Sequence, residues 1–549
     1  MLVECIDVDG VYVEAGTRYA AYNTASTSVS RREGVTRVAA KNESFVFKTN
    51  ILPQRVGVML VGLGGSNGST LVAGLVANKH KLAWREKTGL KTANLLGSVV
   101  ANACTAVGAV GMSAIDTVYV PFRSLAPFPD PTEIYLSGWD ISSKNLYEAQ
   151  VEACVLQPEL LDQLKPDLET RKPYPAVSYG SWLASTQEER ADNLVPVDKE
   201  TTYRNIVDTL RSHIREFKRI NGLTSSDGPA QTLVLWTAST ERCCDEELIV
   251  KHLPTKDKLL KELSSVVNPD SSEYLAPSLL YAVAAVEEGC TYLNGAPQNT
   301  LVPGLQEYAR SLGCLLAGDD FKTGQTKFKS FLTDMLVGSG LRVRAITSYN
   351  HLGNNDGRNL SQEKQFRSKE ISKTAVIDDI IDKAPLLYSR DRQGQVDPSI
   401  DHTVVIKYVP HVGDSKRALD EYVSDIFMNG SSTISIYNTC EDTLLAVPIM
   451  VDMICFAALL ANVEVAHIAE SQAPVKCVTK ELVSKLNFKP VNNLMPVMSL
   501  FFKAPLPRTA DRSDIVNAFA AQRAAIEDFV RAIAGLQHLP QLNVGALTM

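Results

Sequence analysis

Lys369 and Lys373 stand four residues apart in the run Ser368-Lys369-Glu370-Ile371-Ser372-Lys373. In a helix capped by Ser368, that spacing stacks both ammonium groups on one face and turns Glu370 away. Two adjacent ammonium groups repel, which favours the neutral amine in one of them and creates a usable general base. On spacing alone the pair also fits two solvated surface lysines. Just upstream, Gly353-Asn354-Asn355-Asp356-Gly357 forms a polar turn that offers backbone N–H groups, two amides and a carboxylate to a closely approaching ligand. The segment from Ser348 to Lys373 therefore reads as a grip for a small polar molecule.

The elements around it are those of an α/β protein. Val56 to Val61 is a short apolar run suited to a strand buried on both faces, and Gly62-Leu-Gly-Gly-Ser-Asn-Gly-Ser-Thr70 leads from it into a helical run, Leu71 to Ala77. Glycines at 62, 64, 65 and 68 permit a tight turn whose amides can approach a pyrophosphate, although the spacing is one residue longer than the usual G-x-G-x-x-G. The acid expected about twenty residues later is not evident. Further apolar runs end in polar turns: Leu233–Trp236 in Thr237–Thr240, Thr291–Leu293 in Asn294–Asn299, and Leu315–Ala317 in Gly318–Asp320. Ligands of open α/β sheets bind beyond the carboxyl ends of strands, so these turns predict one shared site. Thr323-Gly324-Gln325-Thr326 reads as an anion loop or as a capped helix start. Residues 1 to about 50 are strand-like, Arg342 to Thr347 and Thr403 to Tyr408 are strands, and Arg390 to Pro398 is a polar loop. Lys144–Asp167, Ile206–Arg219 and Asp245–Glu262 are charged stretches of outer helices and loops, and Ser513–Ala534 is an amphipathic helix.

Composition narrows the function. The 549 residues suffice for two or three domains, and 45% hydrophobic with 21% charged residues describes an ordinary globular chain. A net charge of −7 gives no basic footprint for nucleic acid, so an anionic substrate requires a local lysine cluster. Ten scattered cysteines without C-x-x-C, and eight histidines without ligand spacing, predict no metal site and a reducing, cytosolic compartment. The acidic start (Glu4, Asp7, Asp9) predicts no signal peptide. Leu444 to Ala461 reaches membrane-span length, but Pro448, Asp452 and the lack of basic flanks predict a buried helix.

Ten segments, in order, carry a resemblance: GLGGSNGST, SGWDI, LWTASTER, NGAPQNTLVPG, GDDFKTGQTK, SYNHLGNNDG, QFRSKEISK, VGDSK, CEDTLL and FFKAP. Together they resemble the eukaryotic myo-inositol-1-phosphate synthase family from about Arg55 to Pro505. The resemblance implies conversion of glucose 6-phosphate to 1D-myo-inositol 3-phosphate with tightly held NAD, no net redox change, and a homotetramer. It implies a Rossmann-like NAD-binding domain from residues 55–326 and 441–549, an inserted α+β catalytic and tetramerisation domain at 327–440, and an N-terminal arm at 1–54 packed against neighbours.

Carried over by position, it assigns Gly64, Gly65, Ser66 and Asn67 to the pyrophosphate and Asp140 of SGWD to the adenosine ribose. Val177, Gln187 and Arg190 fall on the adenine side. Thr237, Ala238, Ser239, Thr240, Gly295, Ala296, Asp320 and Thr323 line the rest of the cofactor, joined by Asn354, Asn355, Asp356, Lys369, Gly413, Asp414, Asp442 and Thr443. Thr323, Gly324, Gln325, Thr326, Asn350, Leu352, Asn354, Lys373 and Lys416 face the substrate. Lys369, Lys373, Lys416 and Lys503 correspond to the catalytic lysines. Ser66 and Ser239 stand where asparagine is commoner, and Ala296 and Thr323 where serine is.

The implied sequence of chemistry is oxidation at C5, enolisation at C6, attack on the C1 aldehyde and re-reduction. Lys369 is the expected neutral base for the C5 hydroxyl, and Lys373, Lys416 and Lys503 the stabilisers of the oxyanions. A sugar-phosphate dehydrogenase or epimerase, or an inactive NAD sensor, are the other classes. None of the eighteen tyrosines has lysine four residues on, so a Y-x-x-x-K centre is absent.

Overall fold

The computed structural model describes residues 2–4, 6–110, 117–224, 226, 228–268, 274–390, 396–468, 474–503 and 518–539. At its centre lies a six-stranded parallel sheet. In spatial order its strands are Tyr174–Pro175, Tyr135–Asp140, Arg55–Val61, Ala230–Trp236, Thr291–Asn294 and Leu316–Gly318. Numbered along the chain this is the doubly wound order 3-2-1-4-5-6, with its switch point between Arg55–Val61 and Ala230–Trp236. Val56 through Val61 is buried throughout, as a central parallel strand covered on both faces requires. Gly62 follows with φ +90°, and a Cβ there would lie 2.6 Å from the Ala238 Cα, so two turns meet backbone to backbone at the switch point.

A second, mixed sheet orders its strands Asp401–Tyr408, Arg342–Leu352, Ser415–Asp425 and Ser431–Glu441. The chain then re-enters the first unit through the Asp442–Leu460 helix, which packs on the Ser66–Lys79 helix after the glycine turn. Residues Ile449 through Leu460 are all buried, so the apolar stretch is a core helix, as its Pro448 and Asp452 predicted. Asp452 is satisfied there: its Oδ1 accepts from Ser98 Oγ (2.6 Å) and Val100 N (3.0 Å), and its Oδ2 from Val99 N (2.7 Å).

The N-terminal arm pairs with the chain's own late segment. Thr17–Arg32 and Val35–Asn50 form a long hairpin, and the second of these strands pairs antiparallel with Val463–Ile468. One boundary differs from expectation. The helix bearing Lys369 and Lys373 runs Glu363–Thr374 with Gln362 at its N-cap, so Ser368 is a buried interior residue and caps nothing. As expected of helices and loops, Lys144–Asp167 resolves into Leu146–Ala153 and Pro158–Leu168, and Asp245–Glu262 into Glu246–His252 and Lys256–Glu262. The last helix is described over Phe519–Ala534. Most of the Arg390–Pro398 loop, Ala504 and Pro505 of FFKAP, and residues 513–517 lie outside the described residues.

Candidate active site

A single cleft runs from the switch point of the parallel sheet to the mouth of the second sheet. At the first end the Ser66–Lys79 helix opens with Gly65 at its N-cap, which has no side chain to bond the first-turn amides. Gly65, Ser66 and Asn67 line the cleft there, the place where a helix start receives an anion. Asp140 ends the second strand. Its Oδ2 accepts from Gly64 N (2.9 Å) and its Oδ1 from Ser142 N (3.0 Å), with the Arg190 guanidinium 3.8 Å away. Burial pushes its carboxyl up from the ordinary aspartate range against the pull of Arg190 and these amides. Gly64 therefore sits behind the wall, pinned by the acid, while Asp140, Val177 and Arg190 face the cleft. A Cβ at Gly64 would fall 3.2 Å from Asp140 Cγ, a tight approach that would make the acid give by a few tenths of an ångström. An open helix start beside an acid at the end of the second strand suits a dinucleotide.

The middle of the cleft is where the two sheets meet. Thr237 donates from its N (2.8 Å) and Oγ1 (3.1 Å) to Val61 O, tying two strand ends together. Thr240 N and Oγ1 each lie 3.3 Å from Asp356 Oδ1, which draws the Asn354–Gly357 turn onto the parallel sheet. Asn354 caps the short Asn355–Asn359 helix through Gly357 N (3.0 Å). Asn355 donates to Gln187 Oε1 (2.8 Å), so the buried Gln187 braces the turn from behind. Gly413 and Asp414 also stand behind. A Cβ on Gly353 would lie 2.3 Å from Gly413 N, and Asp414 Oδ1 accepts from Thr443 Oγ1 at 2.6 Å. Ala238, Ser239, Gly295, Ala296, Asn354 and Thr443 are on the wall.

The far end holds all four lysines, Lys369, Lys373, Lys416 and Lys503, on the wall of the same cleft. Lys369 Nζ lies 2.9 Å from Asp320 Oδ2 and 3.6 Å from Asp356 Oδ2. Lys503 Nζ bonds the same Asp320 oxygen, and its backbone N donates to Asp320 O at 2.9 Å. Lys416 Nζ is 3.2 Å from Asp442 Oδ1. Lys373 Nζ instead donates to Gln325 Oε1 (3.1 Å), and among the described residues no carboxylate reaches it.

This charge pattern corrects one expectation. Burial alone would pull Lys369 down, but Asp320 and Asp356 outweigh it and hold Lys369 well above the usual lysine range. Without bound cofactor these carboxylates favour its ammonium form, against the neutral base that its spacing from Lys373 suggested. Lys373 is the one pushed toward the neutral amine, driven well below the usual lysine range by burial and by Lys416, Lys503, Lys329 and Lys369. Lys503 is pushed to about 8 by burial, with Asp320 opposing and Lys369 and Lys416 adding to the fall. Burial would raise Asp320, yet Lys369 and Lys503 bring it to about 2. Burial and Asp320 raise the adjacent Asp319 to about 7 while Ser372 Oγ donates to it at 2.6 Å.

Thr323 is the N-cap of the Gly324–Gly338 helix without bonding its first turn through the hydroxyl, and it lines the cleft. The segment is thus a helix start left open by its side chain. Leu352 is on the wall, whereas Asn350 is buried below it, donating weakly to Val405 O (3.4 Å). Gln325 and Thr326 are buried on the helix face beneath the lysines. Sequence reasoning missed Asp420, a carboxylate bonded to Gln325, and Lys329 one turn along from Gln325. The alternation in Ala418-Leu-Asp420-Glu-Tyr422 held the signal, since Asp420 shares the buried face with an alanine and a tyrosine.

A family model described as myo-inositol-1-phosphate synthase matches residues 56–531. The chain belongs to this family. Its relatives agree over nearly the full length. Inositol-3-phosphate synthase 1 of Rattus norvegicus is 43% identical over 517 residues, covering 94% of this chain and 85% of that protein. The Homo sapiens protein of the same name is 43% identical over 519 residues, with 94% and 85% covered. The crystal structure of inositol-3-phosphate synthase from Caenorhabditis elegans superposes with a TM-score of 0.86 at 38% identity, over 99% of this chain and 98% of that one. A myo-inositol-1-phosphate synthase-related protein from Thermotoga maritima shares the fold alone, at 19% identity and a TM-score of 0.55 over 89% of this chain and 100% of that one. The span matched to the myo-inositol-1-phosphate synthase family includes the glycine turn, Asp140 and all four lysines.

Proposed function

We propose that this chain is an inositol-3-phosphate synthase, closing glucose 6-phosphate into 1D-myo-inositol 3-phosphate with NAD. One observation carries the reading: four lysines from three separate parts of the chain meet at one end of a cleft whose other end is the switch point of a doubly wound sheet. Gly65, Ser66, Asn67 and Asp140 would hold the pyrophosphate and ribose of the dinucleotide, and the Thr237–Thr240 and Asn354–Asp356 turns its nicotinamide half. Bound NAD supplies a hydride acceptor that returns what it takes, so the conversion has no net redox change.

The residues divide the remaining work. The phosphate meets Thr323 and the open start of the Gly324 helix, with Lys373 supplying charge once the anion arrives. Lys369 and Lys503 share one oxygen of Asp320. Lys503, lowered to about 8, gives up its proton before Lys369, and its amine is a base of suitable strength for the C5 hydroxyl. Lys369, held as an ammonium, then stabilises the oxygen at C5 as negative charge develops, and Lys416 does the same at O1 as the ring closes.

The exposed row Val405, Tyr349, Leu419 and Tyr437 runs in register across the four strands of the second sheet. An apolar row of this kind favours self-association, and we assign the homotetramer contact to it. The test of function is incubation of the purified protein with glucose 6-phosphate and NAD. An inositol phosphate without accumulating NADH is expected; stoichiometric NADH would instead identify a dehydrogenase.

A further inference from the structure

Beneath the lysines, a buried polar layer joins the Gly324–Gly338 helix to the inner face of the second sheet. Gln325 and Lys329 lie one turn apart on the buried side of that helix. Gln325 Oε1 accepts from Lys373 Nζ (3.1 Å), and its Nε2 donates to Asp420 Oδ1 (2.8 Å). Lys329 Nζ is 2.8 Å from His402 Nε2. Gln325, Lys329, Lys373 and Asp420 are each at most 4% exposed, so none of these bonds competes with bulk water.

A glutamine amide can present either its oxygen or its NH2 group, and the two orientations occupy nearly the same space. An ionised carboxylate only accepts. Asp420 therefore admits one orientation: nitrogen toward itself and oxygen toward Lys373. That orientation is the one compatible with an ammonium at Lys373, because the alternative would set NH2 against NH3⁺. We propose that Asp420 is a positioning residue for the reaction, acting through Gln325 to keep an acceptor facing Lys373 so that Lys373 can take a proton when the phosphate arrives. The inference rests on the reading above of Lys373 as the phosphate-facing lysine.

The charged groups around this layer fix the sign of the effect. Lys373 faces Lys369 from its own helix, Lys416 from the Ser415–Asp425 strand, Lys503 from the late segment and Lys329 from the Gly324 helix. Asp320 and Asp442 neutralise Lys369, Lys503 and Lys416, and His402 is kept neutral by burial and Lys329. Asp420 is the acid that acts on Lys329 within the layer. Removing its charge makes protonation of Lys373 harder, so the alkaline limb of kcat/KM moves to lower pH.

The experiment compares the wild type with Asp420→Asn, Asp420→Leu, Gln325→Leu and the double variant Asp420→Leu/Gln325→Leu. Asp420→Asn retains an acceptor for Gln325 and should keep kcat within a few-fold while shifting the alkaline limb downward. Asp420→Leu should lower kcat/KM for glucose 6-phosphate by about tenfold or more, the scale of one charge-assisted hydrogen bond. Because Asp420 acts through Gln325, the double variant should be no slower than Gln325→Leu alone. Losses that multiply in the double variant, or an Asp420→Leu enzyme with wild-type kcat/KM, overturn the proposal. If Asp420→Leu does not fold, the Asp420→Asn limb decides, and an unmoved limb refutes the inference. A wild type inactive on glucose 6-phosphate would refute the function itself, a separate outcome.

Discussion

Binding of a phosphomonoester should draw a proton onto the enzyme through Lys373. In the free protein burial and four neighbouring lysines push this side chain toward the neutral amine. A phosphate reaching it brings close to two negative charges. One unit charge at 4 Å contributes about 4 kcal/mol at an effective dielectric of 20, and 1.36 kcal/mol corresponds to one pKa unit. A single negative charge therefore moves Lys373 back toward its protonated form, and the dianion does so more strongly. The sign follows: a group depressed in the free enzyme and raised in the complex takes up protons at any pH between its two values. At pH 8 the ligand is already dianionic, since its second ionisation lies near about 6, so uptake comes from the protein. Calorimetric titration of cofactor-free enzyme with glucitol 6-phosphate, which lacks the C1 aldehyde, in two buffers of different ionisation enthalpy reads this directly. We expect about one proton taken up by the wild type, with an additional fraction from Lys503, which stands at about 8 in the free enzyme. Lys373→Met should lose most of it. Zero uptake in the wild type, or equal uptake in Lys373→Met, would refute the charge assignment.

Other expectations follow from the same geometry. Lys369→Ala and Lys503→Ala should each reduce kcat by roughly a hundredfold or more, the scale of a lost general base, while NAD binding measured by fluorescence persists. Because the two lysines share Asp320, the double variant should be little worse than either single one. Asp452→Ala leaves Ser98 and two helix-start amides without their acceptor, which should cost about 1–3 kcal/mol in urea denaturation; an unchanged midpoint would contradict the capping role. Gly62→Ala places a Cβ against the Ala238 backbone and should weaken NAD affinity, measured by titration, by tenfold or so given a strain of about 1–3 kcal/mol. Tyr437→Glu combined with Leu419→Glu should yield smaller particles in sedimentation velocity, and a distribution identical to wild type would place the contact elsewhere.

The reach of the sequence varied with the range of the interaction. Local patterns were readable: the buried strand at Val56–Val61, the glycine turn, and the facing of Lys369 and Lys373, which depends only on helical spacing. The state of those lysines was not readable. Lys369 is charged because Asp320 arrives from the end of the last parallel strand and Asp356 from the polar turn, more than ten residues upstream. Spacing within one helix carries neither fact. The start of that helix was misplaced for a related reason: a serine ahead of an apparent helical run looks like a cap, but the Gln362 turn begins the helix earlier and buries Ser368. The fate of residues 17–50 was also hidden, since their partner strand Val463–Ile468 lies some four hundred residues away and strand pairing leaves no mark on either sequence alone. The ten ordered segments supplied what single residues could not, bringing Asp140, Lys416 and Lys503 into one site before any geometry was available.

The most direct test of the proposed function follows deuterium at C5. Purified enzyme is supplied with C5-deuterated glucose 6-phosphate and NAD, and the product is analysed by mass spectrometry while absorbance at the NADH band is recorded. The expected product is an inositol phosphate that retains the C5 deuterium, with no accumulation of NADH. A product that has lost the label, or label appearing in free NADH in step with turnover, would contradict it.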